Sequence, residues 1–314
     1  MTSCTIIISH YESENFLRAC VRQIRKHKNE NISQHILIID QSSDECYNRI
    51  VEEYGEAEDI SIIETLPLYS GFGIDWAIRN ANIQTDYICQ IHVDVLAINS
   101  QWLLLPIKLI EENNFSFVGQ LQFICNGTQS IYPPDPFFAM AQCFNVAKTE
   151  TYREMSLEAG FTRFHNRESA ALQFKNNDWT AWAKEDYDAR GSDDDVVAFH
   201  WEDKYRQHDK LGLAITGFIS PQFGRIVEDV VFHFGSCREA SGNLGSMPEL
   251  YQYYTRKINE DYSDELIDEM VSLAKKNRPP EMEILTRNLW NGKVKTHSPP
   301  SKELNKRIEE LKNA

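Results

Sequence analysis

Apolar and polar positions in the first hundred residues alternate between short apolar runs and longer segments with helical spacing. Residues 5–9 (TIIIS) form a run of buried-strand type, and residues 13–28 then carry apolar positions at helical spacing. Residues 35–40 (HILIID) are a second such run, with a helix expected over 44–55. Residues 60–64 (ISIIE) and 87–93 (YICQIHV) complete a set of four strands, with a helix over about 72–82 between them. Apolar strands separated by amphipathic helices call for a parallel sheet covered on both faces. Right-handed crossovers then put a ligand crevice at the carboxyl ends of the strands. Ser9, Asp40 and Asp94 fall at that edge.

The pattern loosens further on. We expect a helix over 101–112, a strand over 115–123, a proline-rich loop at 131–136, a strand over 139–146 and a helix over 149–158. Residues 160–190 mix charge and aromatics with weak periodicity. A helix over 193–209 and short strands near 212–218 and 226–233 follow. The last seventy residues change character. Ser246-Met-Pro-Glu249 has the form of a capping box, and helical spacing recurs near 263–276, 281–289 and 301–312. Pro279-Pro280 and Pro299-Pro300 separate these segments. The chain thus reads as an α/β domain over 1–244 with a helical extension over 245–314.

Composition narrows the partners. The 314 residues carry a net charge of −15 at pH 7, which repels phosphate backbones and anionic lipid surfaces. Nucleic acid is therefore not an expected partner. A single nucleotide still is, because one metal ion and a few local donors suffice for it. No apolar stretch is long enough for a membrane-spanning helix, and the N-terminal run turns polar too soon for a secretory signal. A cytoplasmic location is expected, with peripheral contact to a membrane allowed. The seven cysteines, at 4, 20, 46, 89, 125, 143 and 237, include no CxxC pair. They are expected to be reduced, buried thiols rather than metal ligands.

Candidate chemistry gathers at the strand ends. Asp40 closes the second strand, where a carboxylate accepts hydrogen bonds from a base or ribose or simply starts a turn. Tyr69-Ser-Gly71-Phe-Gly73 precedes a helix with Ala77, Arg79 and Asn80. Glycines and helix N–H groups there suit an anion, although small residues are also ordinary in such loops. His92-Val-Asp94 ends the fourth strand, and strand alternation puts both side chains on one side. An imidazole and a carboxylate so placed can hold Mn²⁺ or Mg²⁺, or bond each other. Asp193-Asp194-Asp195 opens a helix, as caps or as the source of a general base. His233, in the apolar strand Val230-Val-Phe-His233-Phe-Gly235, reads as a structural histidine or a ligand to metal or phosphate.

In order along the chain, these segments resemble glycosyltransferase family 2 of the GT-A (Rossmann-like) fold. The resemblance rests on Ser9-His-Tyr11-Glu12, Ile-Ile-Asp40-Gln-Ser-Ser, Gly71…Ala77…Arg79-Asn80 and His92-Val-Asp94. It continues through Cys143…Lys148-Thr…Tyr152-Arg153, Gly191-Ser-Asp-Asp194-Asp and Val231-Phe-His233-Phe-Gly. It covers about residues 3–240. It implies an inverting, metal-dependent transfer from a nucleotide sugar to a saccharide or lipid-linked hydroxyl, with surface polysaccharide or glycan synthesis as the expected setting. UDP-sugar is the first expectation, then dTDP- and GDP-sugars. It further implies Ser9, Tyr11, Glu12, Asp40, Gly71, Arg79, Asn80 and His92 at the donor. Asp94 and His233 would hold Mn²⁺ or Mg²⁺, and Asp194 would be the base. This chain departs from the family in having Ser9 for a frequent Pro, Gln41 for a common second acid, His92 for the usual first Asp and His200 for a frequent Arg. A catalytically silent nucleotide- or partner-binding domain is the alternative. A nucleotidyltransferase is disfavoured, because residues 9–16 lack its basic glycine-rich loop.

Overall fold

The structure is a computed structural model of the chain. It describes residues 1–65, 74, 77–78, 80–113, 117–124, 137–153, 217–219, 225–227, 229–235 and 249–276. Strands β1 (Thr2–His10), β2 (Ile32–Asp40), β3 (Ile60–Glu64) and β4 (Tyr87–His92) run parallel in the order β3-β2-β1-β4. Ile6, Ile7 and Ile8 of β1 and Ile38 and Ile39 of β2 are fully buried on both faces of the sheet, as a covered parallel sheet requires. The crossover helix α1 (Glu14–Lys26) buries Phe16, Leu17, Cys20, Val21 and Ile24, one stripe of an amphipathic helix. Glu14 in its first turn and Arg25 and Lys26 in its last complement the helix dipole. Helix α2 (Asp44–Tyr54) buries Cys46, Ile50 and Tyr54 at four-residue spacing.

Three departures from the sequence pattern shape the site. First, β4 stops at His92, a residue short of its expected end, and Val93-Asp94 form a turn into β5 (Val95–Ala97). Asp94 is therefore placed by a turn and not by strand alternation. The cause is that Val95 pairs with His233 in a different sheet. Second, the expected strand over 226–233 is two strands, β9 (Arg225–Val227) and β10 (Val231–His233). Asp229, at a left-handed φ of 56°, turns the chain between them. With β8 (Gly217–Ile219) these make an antiparallel sheet in the order β5-β10-β9-β8.

Third, the first sheet continues with two strands of mixed direction, β6 (Phe117–Ile124) and β7 (Phe137–Lys148). β7 pairs antiparallel with both β4 and β6, giving β3-β2-β1-β4-β7-β6 overall. The register shifts between Gly119 and Leu121. At Gly119 a Cβ would lie 2.2 Å from the Phe144 carbonyl oxygen, so only glycine admits the close approach of β7.

Helix α3 (Leu104–Asn113) lies where the periodicity predicts one. Helices α4 (Glu249–Glu260) and α5 (Asp264–Lys276) bury Tyr254, Ile258, Ile267, Met270 and Ala274 in the same hydrophobic cluster as the first sheet. Asn15 Nδ2 donates to the Asn259 carbonyl at 2.7 Å, and Gln23 Nε2 to Asp264 Oδ1 at 2.9 Å, tying both helices to α1. Of the helix expected over 72–82, residues 74, 77, 78 and 80 are helical whereas 81 and 82 lie past its end, and residues 149–153 of the one expected over 149–158 are helical. The helices expected over 193–209, 281–289 and 301–312 lie outside the described residues, as does Ser246 of the capping box. No helix among the described residues is long and apolar enough to cross a membrane.

Candidate active site

Strand register brings the polar residues to one edge. His10 pairs with Asp40 across β1 and β2, and Ser9 pairs with His92 across β1 and β4. Across the antiparallel pair β4 and β7, Ile91 faces Phe144, so His92 and Cys143 follow as neighbours. The turn after β4 adds Asp94. β10 carries His233, whose neighbour Phe234 donates its N–H to the Asp94 carbonyl at 2.9 Å. The Phe234 ring packs on Phe16 of α1 with centroids 5.4 Å apart, fixing the end of β10 against the first sheet.

Two polar clusters result. In the first, His10 Nδ1 and Asp40 Oδ2 lie 2.7 Å apart, both fully buried. The Ser13 N–H donates to His10 Nε2 at 3.2 Å, so Nε2 accepts and Nδ1–H donates to Asp40. Asp40 Oδ1 accepts the Ser42 N–H at 2.8 Å. Burial would raise the Asp40 pKa, but the His10 imidazole and the Ser42 donors outweigh it and hold the carboxyl below its ordinary range. His10 is a residue that the sequence reading gave no role.

Glu12 joins this cluster from a left-handed backbone (φ 48°). Its N–H donates to Ser42 Oγ at 2.9 Å, and its Oε1 accepts the Ser43 N–H at 2.6 Å. The β1 and β2 loops are thereby braced together. Tyr11 stands 52% exposed at the mouth of the edge. Gln41 is buried beside Asp40, and its side-chain amide nitrogen has no hydrogen-bond partner.

The second cluster is His92, Asp94, Cys143 and His233. One ligand atom each from His92, Cys143 and His233 lies within 4.8 Å of the others. The two imidazoles meet edge to face with centroids 6.4 Å apart. Asp94 Oδ1 is 3.6 Å from His233 Nε2, and both residues are buried. Burial opposes the charged form of Asp94, but His233 and His92 hold its carboxyl far below the ordinary range. Burial likewise lowers the His233 pKa, yet the Cys143 sulfur and the Asp94 carboxylate push it up to about 9. Two imidazoles and a carboxylate suit Mn²⁺ better than Mg²⁺, which favours oxygen alone. Cys143 stands beside the two imidazoles, a neighbourhood that the spacing of the cysteines along the chain did not show. The five described cysteines are otherwise as expected, free and buried.

Of the remaining sequence candidates, Asn80 is described and exposed. Gly71, Arg79 and Asp194 lie outside the described residues.

The family model described as glycosyl transferase family 2 matches residues 5–173, more than half of the 314-residue chain. The chain belongs to that family of glycosyltransferases. No curated protein matches the sequence significantly. Among solved structures it is similar to S. aureus TarS 1-349, at 14% identity and TM-score 0.36, over 49% of each chain. A TarS structure in complex with UDP-GlcNAc aligns with the same identity and TM-score, over 49% of this chain and 47% of that one. GalNAc-T7 with UDP, GalNAc and Mn²⁺ aligns at 10% identity and TM-score 0.41, over 49% of this chain and 37% of that one. The aligned part spans less than half the length of each of these proteins.

Proposed function

We propose that the chain transfers a sugar from a nucleotide-diphosphate donor to a hydroxyl acceptor with inversion at the anomeric carbon, assisted by one divalent cation. The observation that carries this reading is the convergence of His92, Asp94 and His233 from two sheets at the carboxyl edge of β4. A cation held by Asp94 and His233, with His92 beside it, would supply positive charge against the leaving diphosphate. Of the two ions the sequence suggests, Mn²⁺ suits these three side chains better than Mg²⁺.

The residues of the first cluster bind the nucleoside. Asp40, held ionised by His10 and Ser42, faces ribose or base. The unpaired amide of Gln41 offers a donor whose burial costs about 1–3 kcal/mol until a ligand accepts from it. Ser9, Tyr11 and Glu12 shape the same mouth, with Glu12 acting through the brace it makes with Ser42 and Ser43. Gly71, Arg79 and Asn80 complete the donor side.

Asp194 is the base. It takes the acceptor proton as the acceptor oxygen bonds to the anomeric carbon and the bond to the diphosphate oxygen breaks. UDP-sugar is the first donor to test, then dTDP- and GDP-sugars. The acceptor is a saccharide or lipid-linked hydroxyl of surface polysaccharide synthesis, met in the cytoplasm or at a membrane face. We assign 1–244 to the transferase domain and 245–314 to a helical extension.

The test is nucleoside diphosphate release from a panel of nucleotide sugars, with Mn²⁺, with Mg²⁺ and with chelator. Release that requires metal, and that falls about 10²–10⁴-fold in Asp194→Asn with donor binding retained, is the expected result. Wild-type turnover in that variant would remove the base assignment. Metal-dependent nucleotide binding with no turnover on any donor would favour the catalytically silent domain.

A further inference from the structure

We propose that Cys143 is a metal ligand, and that His92, Cys143 and His233 form a site for a thiophilic divalent cation of zinc type. The proposal rests on the reading of this edge as a metal centre and concerns which ion it takes. Three residues far apart in sequence arrive here from β4, β7 and β10, with ligand atoms within 4.8 Å of one another. His233 and Cys143 are buried and His92 is half-buried, so the site is walled by protein and sheltered from bulk water.

The donor set decides the ion. Sulfur and imidazole nitrogen together select zinc-like cations, whereas carboxylate and carbonyl oxygens select Mg²⁺ or Mn²⁺. The surroundings of the other cysteines sharpen the contrast. Burial pushes the thiols of Cys4, Cys20 and Cys89 upward, leaving them inert core groups. Cys143 instead lies beside two imidazoles. Asp94 Oδ1 lies 3.6 Å from His233 Nε2. That spacing is close to the separation of about 3.4 Å between two ligands about 2.1 Å from one tetrahedral ion. Zinc also accepts a fifth ligand, so three nitrogen and sulfur donors with Asp94 still leave a place for a phosphate oxygen.

Cobalt is the probe, because Co²⁺ occupies zinc-type sites and shows a near-ultraviolet charge-transfer band only when sulfur is bound. The reduced, metal-free full-length chain is titrated with Co²⁺ and then with Zn²⁺. The expected result is a sulfur–cobalt band at one equivalent, bleached by Zn²⁺ and left in place by excess Mn²⁺. Cys143→Ser should abolish the band. Loss of an outer-shell partner alone costs about 10–100-fold in metal affinity, so losing this ligand should weaken Co²⁺ binding about 100-fold or more. The double variant Cys125→Ser/Cys237→Ser should keep the band. Co²⁺ binding without it in the wild type would overturn the thiolate proposal and leave the metal reading of the site standing. Failure of Co²⁺, Zn²⁺ and Mn²⁺ all to bind, with or without UDP, would overturn both.

Discussion

Glu12 holds a backbone conformation that side chains with a Cβ seldom adopt, and what pins it there is local. Its own N–H and its carboxylate both reach the loop after β2, through Ser42 and Ser43. Strain of this kind collects where loops are positioned for ligands. Glu12→Ala removes the charge-assisted bond to Ser43 and keeps the strain. It should cost about 1.5–3 kcal/mol, read from denaturant unfolding. Glu12→Gly loses the same bond but relieves the left-handed backbone by about 1 kcal/mol, so it should be the milder change. An alanine variant as stable as wild type would show that the brace contributes nothing. At this scale the sequence exposed Asp40, Asp94 and His233, because acids and histidines at the ends of apolar runs stand out. It did not expose His10 or Cys143. His10 acts through its Asp40 partner, thirty residues away. Cys143 has no local spacing to a second ligand and meets His92 only through the pairing of β4 with β7.

Elements were most legible where periodicity was strong. β3 and α2 lie where their patterns predict, to within a residue, and β1 and β2 extend the predicted runs by including flanking polar residues. Two of the three departures have a shared cause. Asp94 in a turn and Asp229 at positive φ both mark points where the chain leaves one pairing partner for another, and apolar pattern carries no information about partner. Gly119 is the element-scale residue with the sharpest consequence. Because its missing Cβ is what lets β6 and β7 approach, Gly119→Ala forces a backbone shift. It should destabilise by about 3 kcal/mol, the upper range of overpacking penalties. A thermal midpoint within a degree of wild type would refute the close-approach account. The β7 side of that ladder presents Cys143, so the same variant should also weaken metal binding.

For the whole molecule, charge sets the response to acid. Asp40, Asp59, Asp86 and Asp264, together with Glu14 and Glu111, all have pKa values below their ordinary ones. The chief favourable partners are His10, Arg25, Ser3, Lys26, Arg49 and Tyr87 respectively; for Asp40 alone burial is the larger influence, and it acts in the opposite direction. A carboxyl whose folded pKa is depressed contributes stability that is fully present above the unfolded value. That stability is lost as pH falls through the folded value. For these aspartates the ordinary value is 3.8, so the loss should begin near it and deepen below. Between neutrality and the isoelectric point of 5.1, falling net charge relieves self-repulsion, and stability should hold or rise slightly. Steady loss from pH 7 downward in denaturant titrations would contradict this sign. The central claim, a nucleotide site completed by a metal at the carboxyl edge of β4, is tested most directly by thermal stabilisation. The chain is melted with UDP, GDP, dTDP and CDP, each with divalent metal and with chelator. A ligand at a hundred times its dissociation constant stabilises by about 2.7 kcal/mol, enough to move the melting curve visibly. The account predicts a shift with one nucleotide, UDP first, that chelator removes and that Asp94→Ala no longer shows. A shift of equal size in chelator, or none with any nucleotide, would contradict it.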